Sequence, residues 1–536
     1  MNASAGDDRG CCRFPNISAS VRYVSPLQAI TTPSKYPTRG ASSANTLPLA
    51  NISFSRQVTI AKLSDDVILR IFLYYVDSSP RCWLRLVHVC RVWRRIVFAS
   101  QRDLHLRLFC TYRTPVTKIL DRWPSLPIVV EYGRSLALGP PVPEDENNIV
   151  AALKQSHRVT SIRLTVTSSL LERLSEIERP FSELEDLVLL PRDGVQMSLP
   201  RAFRWGPRLR RLHTTRILFP SLLRLLHSSR NLVDLQLHDI LNPLYFSAEA
   251  LTNTLSGMTR LQSLSLHFLS IDYFLAPPIL PGERIVLPVL TRLNFRGVTE
   301  YLDGFVVRID APRLRNIEVT FTNKFIFDLS KLTRFIDRTG MHKSYCRAHI
   351  LSSSHAISIS LIQLGAPTSL KLRLFCAPIT EQLFFMGRVF LEFSTFLFNV
   401  EGLRISATRP LGGDNSHFNG WLMPINSFTG VKRLHIAGNL STDIVRALEL
   451  DSWRKTLLPT LQKLYIPQPG PRHGPLREAI VSFMISRRLS DHPIEVEYEH
   501  NSQRELPGTS TMLFVQCYHR HLLTRCIRIF FLAGDD

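Results

Sequence analysis

The chain is 536 residues long and 45% hydrophobic, and it carries 65 Lys and Arg against 44 Asp and Glu, a net charge of +21. Such a length holds a sizeable core and more than one domain. The basic balance favours acidic partners such as an acidic protein, nucleic acid or an anionic membrane, with spread surface charge as the plainest reading. The nine cysteines are odd in number, irregularly spaced and without a CxxC pair. That pattern excludes a disulfide framework and fits a cytoplasmic or nuclear setting. The first thirty residues lack an apolar run, so no secretory leader is expected.

Residues 1–58 are rich in Ser, Thr, Pro, Ala and Gly. They cannot bury enough apolar surface to offset chain entropy, so disorder is expected there. From 59 to 110 the pattern becomes helical. In "LSDDVILRIFLYYV" Ser64 suits an N-cap, and Asp65 and Asp66 fall in the first turn, where the helix dipole favours acids. Val67, Ile68, Ile71, Phe72 and Tyr75 form an apolar face. A second helix carries Trp83, Leu84, Leu86, Val87 and Val89; a third carries Val92, Trp93, Ile96 and Val97, with Arg91, Arg94 and Arg95 outward. Three helices this short leave an apolar face for a partner.

After a connecting or capping segment over 111–154, a repeat of apolar-x-x-apolar-x-apolar begins. It appears as "VTSIRL" at Val159, "LEDLVL" at Leu184, "LRRLHT" at Leu209, "LVDLQL" at Leu232, "LQSLSL" at Leu261, "LTRLNF" at Leu290 and "LRNIEV" at Leu314. It returns as "VEGLRI" at Val400, "VKRLHI" at Val431 and "LQKLYI" at Leu461. The starts lie 25, 25, 23, 29, 29, 24, 86, 31 and 30 residues apart, and the 86-residue gap has room for two weaker units near "HAISISL" and "SLKLRL". Each unit ends in a short strand with one buried face. Stretches such as "FPSLLRLLHSSR" and "AEALTNTLSGM" between them have helical spacing. Neither piece buries its apolar face alone, so neighbours must stack.

The residue between the last two apolar positions of each strand points away from the helices. That row reads Arg163, Val188, His213, Gln236, Ser265, Asn294, Glu318, Arg404, His435 and Tyr465, flanked by Asp186, Arg211, Asp234, Arg292, Arg433 and Lys463. Its mixed signs suit one protein surface as substrate. A nucleic-acid backbone would call for a continuous basic row. The apolar window "LFFMGRVFLEFSTFLFNV" is interrupted by Arg388 and Glu392, which reads as a buried helix, and no membrane partner is expected. No nucleophile-elbow, zinc-protease, P-loop or dinucleotide motif occurs, so no catalytic residue, metal or cofactor is expected. Cys517, His519, His521 and Cys526 are too loosely spaced to specify a metal site. Residues 501–536 follow no repeat and read as a tail, a cap or disorder.

Two family resemblances follow from these residues. The repeat over roughly 155–500 resembles the leucine-rich repeat. It departs from the consensus, because Ile240, Leu269 and Val298 stand where Asn or Cys is usual and only Asn439 obeys the rule. The helical segment resembles the F-box. Leu63, Asp66, Val67, Ile68, Ile71 and Phe72 match or replace its first half, with Ser64 in place of the usual Pro. Leu86, Val89, Cys90, Arg91, Trp93, Arg94 and Ile96 match its second half, "VCRVWRRI" being the specific part. Together they resemble the fungal-type F-box/leucine-rich-repeat family.

The fold this implies is α/β, with a small three-helix F-box before an irregular solenoid, strands concave and helices convex. The resemblance further implies a non-catalytic substrate-recognition adaptor of an SCF-type ubiquitin ligase. Its F-box would bind a Skp1-like adaptor and, through it, cullin. Contacts to the adaptor would come from Leu63, Ser64, Val67, Ile71, Leu86, Val89, Cys90 and Trp93, some of them shared with the domain's own core. Two alternatives stand beside this reading: a nucleic-acid-binding protein using "RVWRRIVFASQR" as a basic helix, and a leucine-rich scaffold acting outside a ligase.

Overall fold

A computed structural model of the chain describes residues 63–78, 83–100, 105–123, 126–133, 142–193, 196–240, 247–269, 283–322, 328–341, 345–353, 355–365, 369–375, 379–407, 421, 424–437, 441–450, 457–467 and 474–499. The chain divides into two units, Met1–Lys62 and Leu63–Asp536, and every described residue lies in the second. The segments 1–58 and 501–536, Asn439 and the Cys517–Cys526 cluster lie outside the described residues.

Three helices come first: α1 (Asp65–Ser78), α2 (Trp83–Val89) and α3 (Arg91–Ala99). Asp65 and Asp66 sit in the first turn of α1, and the Ser64 carbonyl accepts the Val67 and Ile68 amides at 3.0 and 3.1 Å. Cys90 caps α3, its sulfur accepting the Trp93 amide at 3.5 Å.

Next comes a strand-and-helix array. It opens with β1 (Leu106–Phe109), α4 (Val116–Arg122), β2 (Ile128–Tyr132), α5 (Pro143–Leu153), β3 (Val159–Val166), α6 (Ser168–Leu174), β4 (Asp186–Pro191) and β5 (Arg211–Thr215). α7 (Phe219–Ser228), β6 (Asp234–Ile240), α8 (Ala248–Leu255), β7 (Ser263–Phe268), β8 (Ile285–Val286), β9 (Arg292–Gly297), α9 (Thr299–Val306), β10 (Ile309–Asp310) and β11 (Asn316–Phe321) continue it. Then come α10 (Ser330–Thr339), β12 (Arg347–Ser352), β13 (Ala356–Ile362), β14 (Ser369–Phe375), α11 (Ile379–Glu392), α12 (Ser394–Leu397) and β15 (Gly402–Ala407). β16 (Arg433–Ala437), α13 (Ser441–Leu450), β17 (Lys463–Pro467), α14 (Gly474–Leu489) and β18 (Glu495–Glu499) end it.

Sixteen of these strands form one sheet in the order β1-β2-β3-β4-β5-β6-β7-β9-β11-β14-β13-β12-β15-β16-β17-β18. All ten repeat motifs read from the sequence are strands of it. The sheet also starts earlier than the motif series. β1 pairs in parallel with β2, and β2 with β3, so the array reaches back to Leu106 rather than to 155. The 86-residue gap holds three strands where two units were expected. β12, β13 and β14 run backwards across the sheet, and β13 is antiparallel to both neighbours. β12 and β14 keep the common direction, pairing in parallel with β15 and β11.

The period-2 alternation produces a one-sided core. Leu187, Leu189, Leu264 and Leu266 are 0% exposed, and they alternate with half-exposed or polar neighbours. Each such leucine contributes about 1.5–3 kcal/mol. The helices pack on that face and leave the other face of the sheet open.

Without an asparagine ladder, the loop carbonyls need other donors. Side chains one repeat away supply them. Arg158 donates to the Leu126 and Trp123 carbonyls, Arg338 to those of Val306 and Ile309, and Arg487 to those of Leu457, Leu458 and Leu461. Ser229, Thr291 and Thr460 do the same for Gly206, Gln262 and Val431. Arg158 and Arg487 are 9% and 2% exposed, and burial lowers the pKa of both guanidiniums. Their carbonyl partners are what make those positions tolerable. The expected buried helix around Phe384 is a surface helix instead: α11 buries Met386, Val389 and Phe390 but leaves Phe384 and Leu391 exposed.

Candidate protein-interaction surfaces

The three-helix segment separates its apolar residues into two sets. Ile68, Phe72, Leu86, Val87, Ile96 and Val97 are 1–4% exposed and form its core. Phe72 meets Trp93 edge-on at 4.8 Å between ring centroids. By contrast Val67, Ile71, Tyr74, Val89 and Val92 are 43–52% exposed. Val67, Ile71 and Tyr74 recur at i, i+4 and i+7, so they share one face of α1. Val89 and Val92 flank the α2–α3 junction at exposed Cys90. Of the eight residues expected at an adaptor contact, Ser64, Val67, Ile71, Val89 and Cys90 are on the surface, and Leu63 and Trp93 are half-buried. Leu86 belongs to the core, because its position on α2 turns it towards the other helices and not outward.

Of the three arginines expected outward on α3, Arg94 and Arg95 are exposed but engaged. Arg94 Nε donates to the Val87 carbonyl at 2.9 Å, and Arg95 pairs with Asp65 at 3.1 Å. Those contacts tie α3 to α2 and to the start of α1.

On the open face of the sheet, the ten-residue row read from the sequence is one continuous ladder. In register across the strands it reads Phe109, Glu131, Arg163, Val188, His213, Gln236, Ser265, Asn294, Glu318, Lys371, Ser360, His349, Arg404, His435, Tyr465 and Glu497. The sequence reading missed Phe109, Glu131, Lys371, Ser360, His349 and Glu497. Ser265 is buried at 7%, enclosed by the histidines on either side of it.

The N-terminal part of this face is a charge network around a hollow of about 310 Å³, lined in part by Arg163, Asp186, Arg211, His213, Asp234 and Gln236. Asp186, 4% exposed, accepts Arg163 Nε at 2.8 Å and Arg211 Nη2 at 3.4 Å. Arg163 also lies 3.8 Å from Glu131, which is 1% exposed. Beside it His213 Nε2 sits 3.3 Å from His238 Nδ1, and His238 stacks on His267 at 4.0 Å between centroids. Burial, then the neighbouring rings, pushes His238 down to about 3, and burial also lowers His213 and His267. These three rings are therefore neutral at pH 7.

The middle and C-terminal parts pair their charges locally. Lys371 meets Glu318 at 2.8 Å, and Lys463 bridges Glu495 and Glu497 at 2.8 and 2.9 Å. The hydrogen bonds that Lys463 donates to those two glutamates raise its pKa. His435 stacks on Tyr465 at 4.0 Å with planes 7° apart, forming an aromatic platform. Arg163, Arg211, Lys371 and Lys463 on this face thus carry carboxylate partners, and the row mixes both charge signs, unlike the continuous basic track that a phosphate backbone requires. Among the described residues no cluster of His, Cys, Asp and Glu could hold a metal ion, and no helix is long and apolar enough to cross a membrane.

No protein-family model and no curated protein matches the sequence. Among solved structures, the leucine-rich repeat-containing protein LegL7 from Legionella pneumophila is similar at 10% identity and a TM-score of 0.27, over 71% of this chain and 97% of that one. The repeat reading here rests on the strand register itself: a stacked, leucine-rich-repeat-like α/β array.

Proposed function

We propose that this chain is the substrate-recruiting, non-catalytic subunit of an SCF-type ubiquitin ligase. α1–α3 dock on a Skp1-like adaptor and, through it, on cullin, while the open face of the sheet holds a protein substrate. The observation that carries the reading is the exposure of Val67, Ile71 and Val89, at 43–48%, beside a filled core of Ile68, Phe72 and Leu86. Apolar side chains at motif positions, left in water by a segment that already has a core, are what a docking face looks like. The effect of such a subunit is proximity: it raises the local concentration of a substrate lysine near the ubiquitin thioester. The mixed charges and the His435–Tyr465 platform favour a folded protein or peptide as substrate, read by charge complementarity. The nucleic-acid alternative loses ground because Arg94 and Arg95 are already engaged within the helical segment.

Affinity capture followed by mass spectrometry tests the proposal. Wild type is compared with a Val67→Asp/Ile71→Asp variant and with an Arg404→Glu/His435→Ala/Tyr465→Ala variant. The first variant is expected to lose adaptor and cullin together while keeping other partners; the second is expected to do the reverse. Retention of the adaptor without cullin would point instead to a scaffold outside a ligase.

A further inference from the structure

Both layers of the array stop at its C-terminal end without a neighbour among the described residues. β18 pairs with β17 alone, so its outer edge presents a row of unpaired backbone groups. The helix layer is open on the same side. Ser482 of α14 bonds Glu449 of α13, which marks the flank of α14 turned towards its neighbour. At about 100° per residue, Met484 falls on the opposite flank, and Val481 and Ile485 continue from it round the outer surface of the helix. Val481, Met484 and Ile485 are 51%, 39% and 55% exposed, and Tyr498 of β18 is 47% exposed. A solenoid end built to meet water carries a polar outer face. This end carries a bare strand and an apolar stripe.

We infer that residues 506–531 of this same chain supply the missing unit. Its strand runs parallel to β18 near Ile527, and the residues before it cover the open flank of α14. Three features of the sequence single out this occupant. First, 37 residues follow Glu499, more than the spacing of one repeat. Second, the buried strand positions Leu403, Leu434 and Leu464 and the half-buried Val496 in register with them are 31, 30 and 32 residues apart, and a further step of 31 lands on Ile527, within the alternation Ile527, Ile529, Phe531. Third, the charges complement each other. The β18 sequence holds Glu495, Glu497 and Glu499, while 506–531 holds Arg520, Arg525 and Arg528 and no acid. In the register of the preceding strands, Arg528 stands beside Glu497 on the open face.

Hydrogen exchange on the full-length protein tests this, with a chain ending at residue 500 and an Arg528→Glu variant alongside. The β18 amides are expected to exchange at least about tenfold faster in both variants, and Glu497→Lys added to Arg528→Glu is expected to restore protection. Light scattering run in parallel must show a monomer. Equal β18 exchange in full-length, shortened and Arg528→Glu chains would overturn the inference. So would protection that appears only with dimerisation, which would assign the open end to a second copy. If the shortened chain does not fold, the Arg528→Glu and double variants decide between these results alone.

Discussion

In the sheet, Leu187, Leu264 and Leu434 are 0% exposed, and the loops between repeats have their carbonyls bonded from one unit to the next. In the three-helix segment, six core residues are enclosed while Val67 and Ile71, from the same helix face region, stay 43% and 48% exposed. The first region behaves as a self-consistent stack in which every unit depends on its neighbours. The second has a core but keeps apolar surface in reserve. The contrast separates what folding needs from what binding needs, residue by residue.

Substitutions can sharpen that contrast, taken from the largest expected loss of stability downwards. Leu264→Ala, at the centre of the array, is expected to cost about 2–5 kcal/mol in urea denaturation, because the packed face cannot collapse around the void. Arg487→Met is expected to cost about 1–3 kcal/mol by leaving three loop carbonyls without their donor. A loss no larger than that of an exposed arginine would break the idea that arginines stand in for the asparagine ladder. Ile71→Asp is expected to change stability by no more than about 0.5 kcal/mol, since the side chain is already half in water. Trp93→Ala is a poorer probe of docking, because it removes the edge-on contact with Phe72 and loosens the segment itself.

The repeat was legible because leucines at period 2 mark a half-buried strand whatever surrounds them. The same fact explains what was missed. Alternation reads the same in both chain directions, so "HAISISL" announced a strand but not that β13 runs antiparallel. β1 and β2 stood outside the repeat series because "LRLF" and "IVVEY" are short and, in β2, buried throughout. Val67 and Ile68 are equally apolar neighbours on one helix, and only packing shows that Ile68 is core and Val67 is surface. The arginine donors were invisible because their partners are backbone carbonyls about thirty residues away.

The histidines of the open face add a pH dependence. Burial lowers His213, His238 and His267, His238 to about 3 from an ordinary 6.5. A base whose folded pKa lies below its unfolded value leaves the folded chain with fewer bound protons. Stability is therefore fully present above about pH 6.5 and declines as pH falls through that value towards the folded pKa. His238→Gln is expected to flatten the decline in melting temperature measured between pH 7 and pH 5, and an unchanged slope would remove the cluster from the account.

The central claim is tested most directly by titrating the purified full-length chain with a purified Skp1-type adaptor, alongside the Val67→Asp/Ile71→Asp variant. The account predicts a defined complex for wild type and an affinity at least about a hundredfold weaker for the variant, roughly 2.7 kcal/mol, with an unchanged unfolding midpoint. A wild-type chain that ignores the adaptor, or a variant that binds it equally well, would contradict it.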